Sequence, residues 1–275
     1  MSDQAADPEF MHLTRKISLD RDFGCASYKE KCLRRRIAVR MRARGVHTYT
    51  DYAQLLDSDS REYDLLLDAL TINVTKLFRN WETYDSIARN VIPEMWGRPD
   101  GPLAIWSAGC ASGEEAYSLA ILLHRHAAAH GELARLARVS VLGTDIDRSS
   151  LVAAERGEYA ESAFADTPAE LRSSYFSPEP PHSVHRDVRQ LTRFERRDLL
   201  RDPAPGEEGG GLNLITCRNV IIYFDRSTQE MLFERFHDAL APGGFLVLGK
   251  VETLFGVSRT RFEAVDSRER IFRRS

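Results

Sequence analysis

The stretch that decides the fold is Trp106-Ser-Ala-Gly-Cys-Ala-Ser-Gly-Glu-Glu-Ala-Tyr-Ser118. It begins inside the short apolar run Leu103–Ala108, which we interpret as a buried strand, and it leads into a helical pattern that runs from Glu114 to His126. A glycine turn between a strand and a helix brings the backbone close to a cofactor at the carboxyl edge of a parallel sheet. The stretch therefore predicts an α/β protein with a cofactor crevice beside Gly109.

The remainder of the chain repeats this alternation of strand and helix. Further core strands are predicted at 138–143, which leads to Asp145, at 212–217 and at 244–249. Between the last two strands, we expect a helix that is capped by Ser227 and stopped at Pro242-Gly-Gly244. Strands that alternate with helices predict a doubly wound, mostly parallel sheet.

The pattern also predicts how the chain divides. Residues 1–10 read as a tag or a disordered segment, 11–84 as an N-terminal helical domain, and 85–275 as the α/β domain. Within the helical domain, Asp59 and Glu62 have the spacing of a capping box. Residues at about 172–197 break the alternation, and we interpret them as a small antiparallel β insertion in which 183–189 pairs with 191–196.

Composition excludes several classes of protein. The 275 residues carry 38 basic and 41 acidic side chains, so bulk charge does not favour a nucleic-acid partner. The four cysteines form no Cys-x-x-Cys pair, which argues against a zinc site and a disulfide scaffold and indicates a reducing cytoplasm. Apolar runs long enough to span a bilayer are missing from the sequence. We expect a cytoplasmic monomer that binds no metal and does not insert into membranes.

The charge of the glycine turn predicts the class of cofactor. Glu114 and Glu115 fall on the first turn of the helix, where they would repel the phosphates of a dinucleotide. S-adenosylmethionine has no phosphate but carries a sulfonium and an ammonium, so carboxylates suit it. Asp145 stands where such folds place the carboxylate that binds ribose hydroxyls. Two alternatives stay open: Ser112 and Glu115 form a capping box, and Asp145 caps a helix.

Five strings resemble, in order, motifs of the chemoreceptor glutamate methyltransferases, the CheR family. They are Asn73-Val-Thr-Lys-Leu-Phe-Arg79, Trp106-Ser-Ala-Gly-Cys-Ala-Ser-Gly-Glu-Glu115, Thr144-Asp-Ile-Asp147, Cys217-Arg-Asn-Val-Ile-Ile-Tyr-Phe224 and Leu248-Gly-Lys-Val-Glu-Thr-Leu254. The resemblance covers nearly the whole chain after Met11. It implies a helical domain, a methyltransferase sheet, and a small antiparallel β insertion that touches the receptor.

The resemblance also implies the site. S-adenosyl-L-methionine is the expected cofactor and S-adenosyl-L-homocysteine the product, with Arg79 and Tyr223 facing the reacting centre. Together with Gly109, the residues expected around the cofactor are Asn73, Thr75, Arg79, Glu115, Asp145, Asp198, Leu199, Arg218 and Asn219. Asp198 stands where relatives often carry Asn.

The implied reaction is methyl esterification of glutamate side chains on chemoreceptors. A glutamate is already ionised at neutral pH, since its pKa is about 4.3, so the reaction needs alignment and no general base. The partner is the cytoplasmic helical domain of the receptor. We expect contact with it through the β insertion and through the basic residues Arg34, Arg35, Arg36 and Arg40 of a stretch that continues to Arg44.

Two departures from the family pattern leave alternatives. Leu77-Phe78 replaces a pair of aromatic residues, and Lys250-Val251 replaces His-Ser and is expected to put a cation near the mouth of the site. That cation keeps open a catalytically weak adaptor that binds S-adenosylmethionine. A nucleic-acid methyltransferase is the other alternative, but Cys217-Arg-Asn-Val220 lacks the proline-aromatic clamp for a base.

Overall fold

The computed structural model describes residues 7–71, 75–98, 101–206 and 211–275. The chain divides into two compact units, the first made of Met1–Ile72 with Tyr223–Thr228, and the second of Asn73–Ile222 with Gln229–Ser275. The division falls between residues 72 and 73, whereas the sequence predicted it between 84 and 85. The difference arises because Leu77, Phe78 and Tyr84 are buried in the core of the second unit.

The first unit is helical, as predicted. Its helices are α1 (Pro8–Arg21), α2 (Glu30–Ala43), α3 (Tyr49–Ser58) and α4 (Ser60–Leu70). Leu13, Leu33 and Leu66 are among the side chains that these helices bury. The Asp59 side chain accepts the Glu62 N–H at 3.0 Å, which confirms half of the predicted capping box. The other half is wrong, because the Glu62 carboxylate turns into the helical core.

The expectation of disorder is wrong for residues 7–10. Asp7 caps α1 by accepting the N–H groups of Glu9 and Phe10 at 3.2 and 3.3 Å, and Pro8 occupies the first helical turn. Phe10 is buried and packs edge-on against Tyr49, with ring centroids 5.4 Å apart. A cap and a buried aromatic ring are enough to order this end of the helix.

The second unit is built on a twisted sheet that has seven strands among the described residues, in the order β5-β2-β1-β6-β7-β9-β8. The strands are β1 (Leu103–Ala108), β2 (Val139–Asp145), β5 (Thr192–Arg196), β6 (Leu212–Cys217), β7 (Leu240–Leu248), β8 (Phe262–Asp266) and β9 (Ile271–Arg274). Five neighbouring strands run parallel to one another: β5, β2, β1, β6 and β7. β9 pairs antiparallel with β7, and β8 pairs antiparallel with β9. The doubly wound, mostly parallel sheet is confirmed.

Helices cover the sheet. They are α5 (Trp81–Ser86), α6 (Ile92–Trp96), α7 (Glu114–Ala129), α8 (Arg148–Arg156), α9 (Ala169–Tyr175), α10 (Arg186–Arg189), α11 (Arg226–Ala239) and α12 (Ser258–Arg261). The predicted Ser227 cap is wrong, because α11 begins at Arg226 and the Thr228 N–H bonds to the carboxylate of Asp225, the residue before the helix, at 2.8 Å. In the described parts of the chain, helices long and apolar enough to cross a bilayer are absent.

The small antiparallel sheet exists, but its predicted pairing is wrong. It joins β3 (Glu158–Tyr159) to β4 (His182–Ser183). The predicted partners do other things: residues 186–189 are helical, and β5 is an edge strand of the main sheet, parallel to β2. Phe194 of β5 lies over Gly143, where a Cβ would come within 2.7 Å of its ring, so β5 gains a packing partner on the main sheet.

Candidate active site

The glycine turn after β1 is tied to the end of β2. The N–H groups of Gly109 and Cys110 both donate to the Thr144 carbonyl, at 2.8 and 2.9 Å. Gly109 has a φ of +80°, and a Cβ there would lie 2.5 Å from a methyl group of Val220. Only glycine therefore fits between the backbone of the turn and the loop that follows β6. Gly109 follows the last residue of β1, so the turn lies at the carboxyl edge of the sheet, where the crevice is predicted.

Asp145 binds the same turn from the end of β2. Its Oδ2 accepts the Ala111 N–H at 2.9 Å and its Oδ1 accepts the Asp147 N–H at 3.0 Å. Burial raises the pKa of this carboxyl group. The alternative role as a helix cap is wrong, because Asp147 caps α8 by accepting the Ser149 N–H. Asp145 is half-buried as a residue, and its role as a cofactor contact stays a prediction.

Glu115 joins the carboxyl ends of two neighbouring strands. Its Oε1 accepts the hydroxyls of Ser107 on β1 at 2.9 Å and of Thr216 on β6 at 2.5 Å. Its Oε2 lies 3.6 Å from Nη1 of Arg218, which follows β6. The carboxylate is thus held at the sheet edge by hydroxyls and a guanidinium, as a ligand-binding group would have to be.

Glu114, beside it, faces a different environment. It is 5% exposed, and the hydroxyls of Ser112 and Thr75 donate hydrogen bonds to its carboxylate. Burial raises its pKa to about 7. It lines a cavity of about 410 Å³ together with Thr75, Lys76, Ser112, Ala153, Glu158, Tyr159, Ala160, Ser162 and Ala163. Thr75 and Glu115 are both predicted to contact the cofactor, but their surroundings therefore differ.

The capping-box alternative at this turn is wrong. Gly113 is the residue that precedes α7, it has a φ of +89°, and it offers no side chain as a cap. The Ser112 hydroxyl bonds to Glu114, two residues away, while Glu115 bonds to β1 and β6. The charge of the turn predicted carboxylates beside the crevice, but it could not separate the surroundings of Glu114 from those of Glu115.

Arg218 connects Glu115 to the segment that carries Arg79. Its Nη2 donates to the Arg79 carbonyl at 2.8 Å, and its Nη1 donates to the Tyr84 hydroxyl at 3.2 Å. Among the described residues, the buried Nε of Arg218 has no hydrogen-bond partner. A buried, unsatisfied N–H is costly, so it marks a place where a ligand oxygen would be favourable.

The backbone around Arg79 is held in an unusual conformation. Phe78 and Asn80 have φ values of +52° and +61°, which non-glycine residues adopt at an energetic cost. The Phe78 N–H donates to the Ser118 hydroxyl at 2.9 Å, and the Asn80 N–H donates to the Asp166 carboxylate at 3.0 Å. These bonds fix the backbone on both sides of Arg79. Such strain is common at functional sites, which agrees with the role predicted for this residue.

Glu252 is a residue of the site that the sequence did not identify as functional. It is buried, and it accepts the N–H groups of Gly249 at 2.6 Å, Asn219 at 3.0 Å and Ile222 at 3.3 Å. Burial raises its pKa. The motif around it was recognised, but which distant N–H groups it binds follows from the pairing of β6 with β7.

Asp198 and Leu199 lie in the turn that follows β5. Asp198 Oδ1 accepts the Leu200 N–H at 2.8 Å, and burial raises the pKa of the carboxyl group. The Leu199 carbonyl accepts from Arg235 of α11 at 2.9 Å, which fixes the turn. Asn73, the remaining predicted cofactor contact, lies outside the described residues.

Tyr223 belongs to the first unit, although it follows the cofactor motif in sequence. The guanidinium of Arg36 lies over its ring, 4.9 Å from the centroid, and its carbonyl accepts the Lys29 N–H at 2.8 Å. The sequence context, in which apolar residues surround the tyrosine, gave no sign of this neighbourhood. The cation over the ring orients Tyr223 within the helical unit.

Most of the predicted docking arginines are engaged inside the first unit. Arg34 bonds to Glu30 and Asp7 at 2.6 and 3.0 Å, and Arg36 donates to the Leu70 carbonyl at 2.6 Å. Arg40 is paired with the buried Glu62 at 2.6 Å. Arg35 differs from these three because its side chain is exposed.

Lys250 is neutralised by a buried partner. Its Nζ lies 2.5 and 2.6 Å from the two oxygens of Glu269, which also accepts the Thr83 hydroxyl at 2.7 Å. The cation expected from Lys250 is therefore paired with a carboxylate that balances its charge. This pairing removes part of the chemical reason for a catalytically weak adaptor.

The residues of the crevice fit S-adenosylmethionine. Glu115 and Asp145 present carboxylates, which suit a ligand with an ammonium, a sulfonium and ribose hydroxyls. The unsatisfied Nε of Arg218 suits an anionic group, and the methionine part of this cofactor ends in a carboxylate. This mixture of carboxylates and a guanidinium fits a cofactor that carries both positive and negative groups better than it fits a polyphosphate.

The chain is similar to known proteins over nearly its whole length. Residues 73–271 match the family model described as "CheR methyltransferase, SAM binding domain", and residues 8–71 match "CheR methyltransferase, all-alpha domain". A chemotaxis protein methyltransferase of Listeria innocua is 31% identical over 249 residues, which cover 90% of this chain and 91% of the relative. One of Klebsiella aerogenes is 33% identical over 261 residues, with 92% and 86% covered.

A longer relative is also found. An uncharacterized 104.1 kDa protein of Rhodobacter capsulatus is 33% identical over 259 residues, which are 93% of this chain and 26% of that protein. Both family models match in the expected order, and the Listeria and Klebsiella proteins match along most of their length. The chain therefore belongs to the CheR methyltransferase family and is an S-adenosylmethionine-dependent methyltransferase.

Proposed function

We propose that the protein esterifies glutamate side chains on the cytoplasmic helical domains of chemoreceptors, and that it acts in the cytoplasm. The observation that carries the proposal is the chain of contacts from Glu115 through Arg218 to the backbone of Arg79. It ties the cofactor crevice to an arginine, and a guanidinium is suited to a carboxylate substrate. The relatives named chemotaxis protein methyltransferase support the same assignment.

The reaction asks little acid-base chemistry of the protein. S-adenosylmethionine supplies an electrophilic methyl group, and a glutamate side chain is ionised at neutral pH. In the proposal, Arg79 and Tyr223 orient the substrate carboxylate by hydrogen bonds without transferring a proton. Glu115 and Asp145 hold the cofactor, and Arg218 holds both Glu115 and the Arg79 backbone in register. Positioning of this kind can contribute about 7 to 11 kcal/mol to catalysis.

We also propose a receptor-docking face on α2 that differs from the one predicted. Lys31, Arg35, Val39 and Arg42 recur every three or four residues, and all are exposed. Arg34, Arg36 and Arg40 stabilise the helical unit instead. A basic stripe with a central valine fits an acidic amphipathic helix. The β3–β4 pair is a second proposed contact with the receptor.

A labelling experiment tests the proposal. The protein is incubated with methyl-labelled S-adenosylmethionine and a chemoreceptor cytoplasmic fragment, and alkali-released methanol is measured. The expected result is release of labelled methanol, which disappears when the receptor glutamates are changed to alanine. Binding of the cofactor in a calorimeter without methyl transfer would favour the adaptor. Label in added RNA or DNA, and none in receptor, would favour a nucleic-acid methyltransferase.

A further inference from the structure

The loop 218–222 forms one wall of the proposed cofactor site. Arg218 and Asn219 were expected at the cofactor, and Val220 contacts the glycine turn so closely that a Cβ at Gly109 would lie 2.5 Å from its methyl group. Displacement of this loop would therefore open the crevice on one side and also move Arg218 away from Glu115.

Groups outside the loop hold it in this position. Asn219 has a φ of +62°, a left-handed conformation that asparagine adopts more readily than most residues with a side chain. Its N–H and that of Ile222, on either side of Val220, both donate to the carboxylate of Glu252. The Gln229 side chain donates to the Ile221 carbonyl at 2.9 Å, which adds a second anchor.

Glu252 also binds the end of the neighbouring strand. Its Oε2 accepts the Gly249 N–H at 2.6 Å, immediately after β7. A Cβ at Gly249 would lie 2.7 Å from that oxygen and 2.9 Å from the Asn219 nitrogen. The glycine thus permits a close approach of the two loops, and the carboxylate bridges them.

We infer that Glu252 is a positioning residue for cofactor binding, which holds the 218–222 loop against the Gly109 turn by accepting three backbone N–H groups. It touches neither cofactor nor substrate in this role. A buried carboxylate binds N–H groups from two loops more tightly than a neutral acceptor would, because charge-assisted hydrogen bonds are roughly twice as strong as neutral ones. The inference rests on the proposed cofactor site and is independent of the receptor substrate.

The test uses the full chain and S-adenosylhomocysteine as the probe in a calorimeter. Glu252→Gln keeps the shape but replaces one acceptor oxygen by a donor, so roughly 10-fold weaker binding is expected. Hydrogen exchange at the Asn219 and Ile222 amides should become faster in the same variant. Glu62→Gln is the matched control, a buried carboxylate of the helical unit that should leave probe binding unchanged.

Gly249→Ala provides a second test that keeps the carboxylate. The added Cβ would lie 2.9 Å from the Asn219 backbone nitrogen and must displace it from Glu252, so binding should again weaken roughly 10-fold, and the melting temperature should fall in a chain that remains folded. If either variant is folded and binds the probe as tightly as the unmodified chain, with unchanged exchange at Asn219, the inference is overturned. Because the probe needs no receptor, failure here is distinct from failure of the proposed esterification.

Discussion

Two carboxylates, one in each unit, have different surroundings: Glu62 is fully buried, whereas Glu115 is half-buried. Glu62 of the helical unit is bound by the side chains of Arg40, Arg44 and Tyr52. Glu115 of the sheet unit is bound by hydroxyls at two strand ends and by Arg218, beside an N–H that is unsatisfied among the described residues. The unsatisfied N–H of Arg218 beside Glu115 is one feature that distinguishes its surroundings from those of Glu62.

The largest effect is expected where the set of partners is complete. Glu62→Met should lower the free energy of unfolding by about 3 to 4 kcal/mol, because it leaves the Tyr52 hydroxyl and Arg40 without their acceptor. Denaturant unfolding measures the loss, and S-adenosylhomocysteine affinity should be unchanged. Weaker cofactor binding with normal stability would contradict the distinction between the two acids.

A second effect is the pH dependence that Glu114 gives to stability. Burial raises the pKa of Glu114 from 4.5 to about 7, so the folded state keeps its proton while the unfolded state has lost it. Stability should therefore fall as pH rises from 4.5 to about 7 and level off above, by up to about 3 kcal/mol. Glu114→Gln should remove this fall. Unfolding curves at pH 5, 6, 7 and 8 measure it, and an unchanged slope in the variant would exclude Glu114 as the source.

Rates of methyl transfer test the roles proposed for Arg79 and Tyr223. Arg79→Ala should lower the rate of methyl transfer at saturating cofactor about 100-fold, and Tyr223→Phe about 10-fold, because each loses a group that orients the substrate carboxylate. Arg89→Ala, which removes an exposed arginine paired with Asp85, is the control and should be close to normal. Rates near normal for both test variants would defeat the assignment.

Two aspartates at the end of β2 and just beyond it, Asp145 and Asp147, form a closely matched pair for substitution. Asp145→Asn should weaken S-adenosylhomocysteine binding about 10-fold, because the carboxylate is expected to bind ribose hydroxyls. Asp147→Asn, two residues away, should leave the affinity unchanged and cost about 1 kcal/mol of stability at most, since Asp147 caps α8. Equal effects of the two changes on affinity would show that the crevice extends beyond Asp145.

The smallest effect concerns docking. Arg35→Glu should raise the KM for a receptor fragment about 5-fold at low salt, and the difference should shrink as salt screens the charge. Arg193→Glu changes an equally exposed arginine of the sheet unit and should have no such effect. A KM for Arg35→Glu that equals the control at every salt concentration would remove α2 from the docking face.

Much of the fold followed from local sequence. The run Leu103–Ala108 is β1 as predicted, and Leu212–Cys217 is β6, because an apolar run between turn residues has few other ways to be buried. The antiparallel β8 and β9 were not predicted, and 192–196 was assigned to the insertion instead of the main sheet. β5 and β8 are edge strands, which carry weak hydrophobic patterns, and β9 has only four residues, so their partners depend on the surface that the rest of the fold presents.

The site was predictable in its chemistry and less so in its contacts. The glycine turn and the following glutamates indicated a crevice for a cationic cofactor, and the motifs supplied Asp145 and Arg218. The role of Glu252 was missed because its three N–H donors come from two loops that are separated by about 30 residues in the chain. Likewise, Arg35 is exposed, whereas Arg34, Arg36 and Arg40 are engaged inside the helical unit. A run of basic residues in the sequence cannot reveal this difference.

The sequence by itself determined the α/β class and the glycine turn with two glutamates after the first strand, because these depend on short-range periodicity and on residue type. The tertiary structure alone decided which acid meets which partner: Glu115 reaches Thr216, and Glu252 reaches Asn219. Those pairings require β6 to lie between β1 and β7, and the order of strands in a sheet is set by the packing of the whole unit.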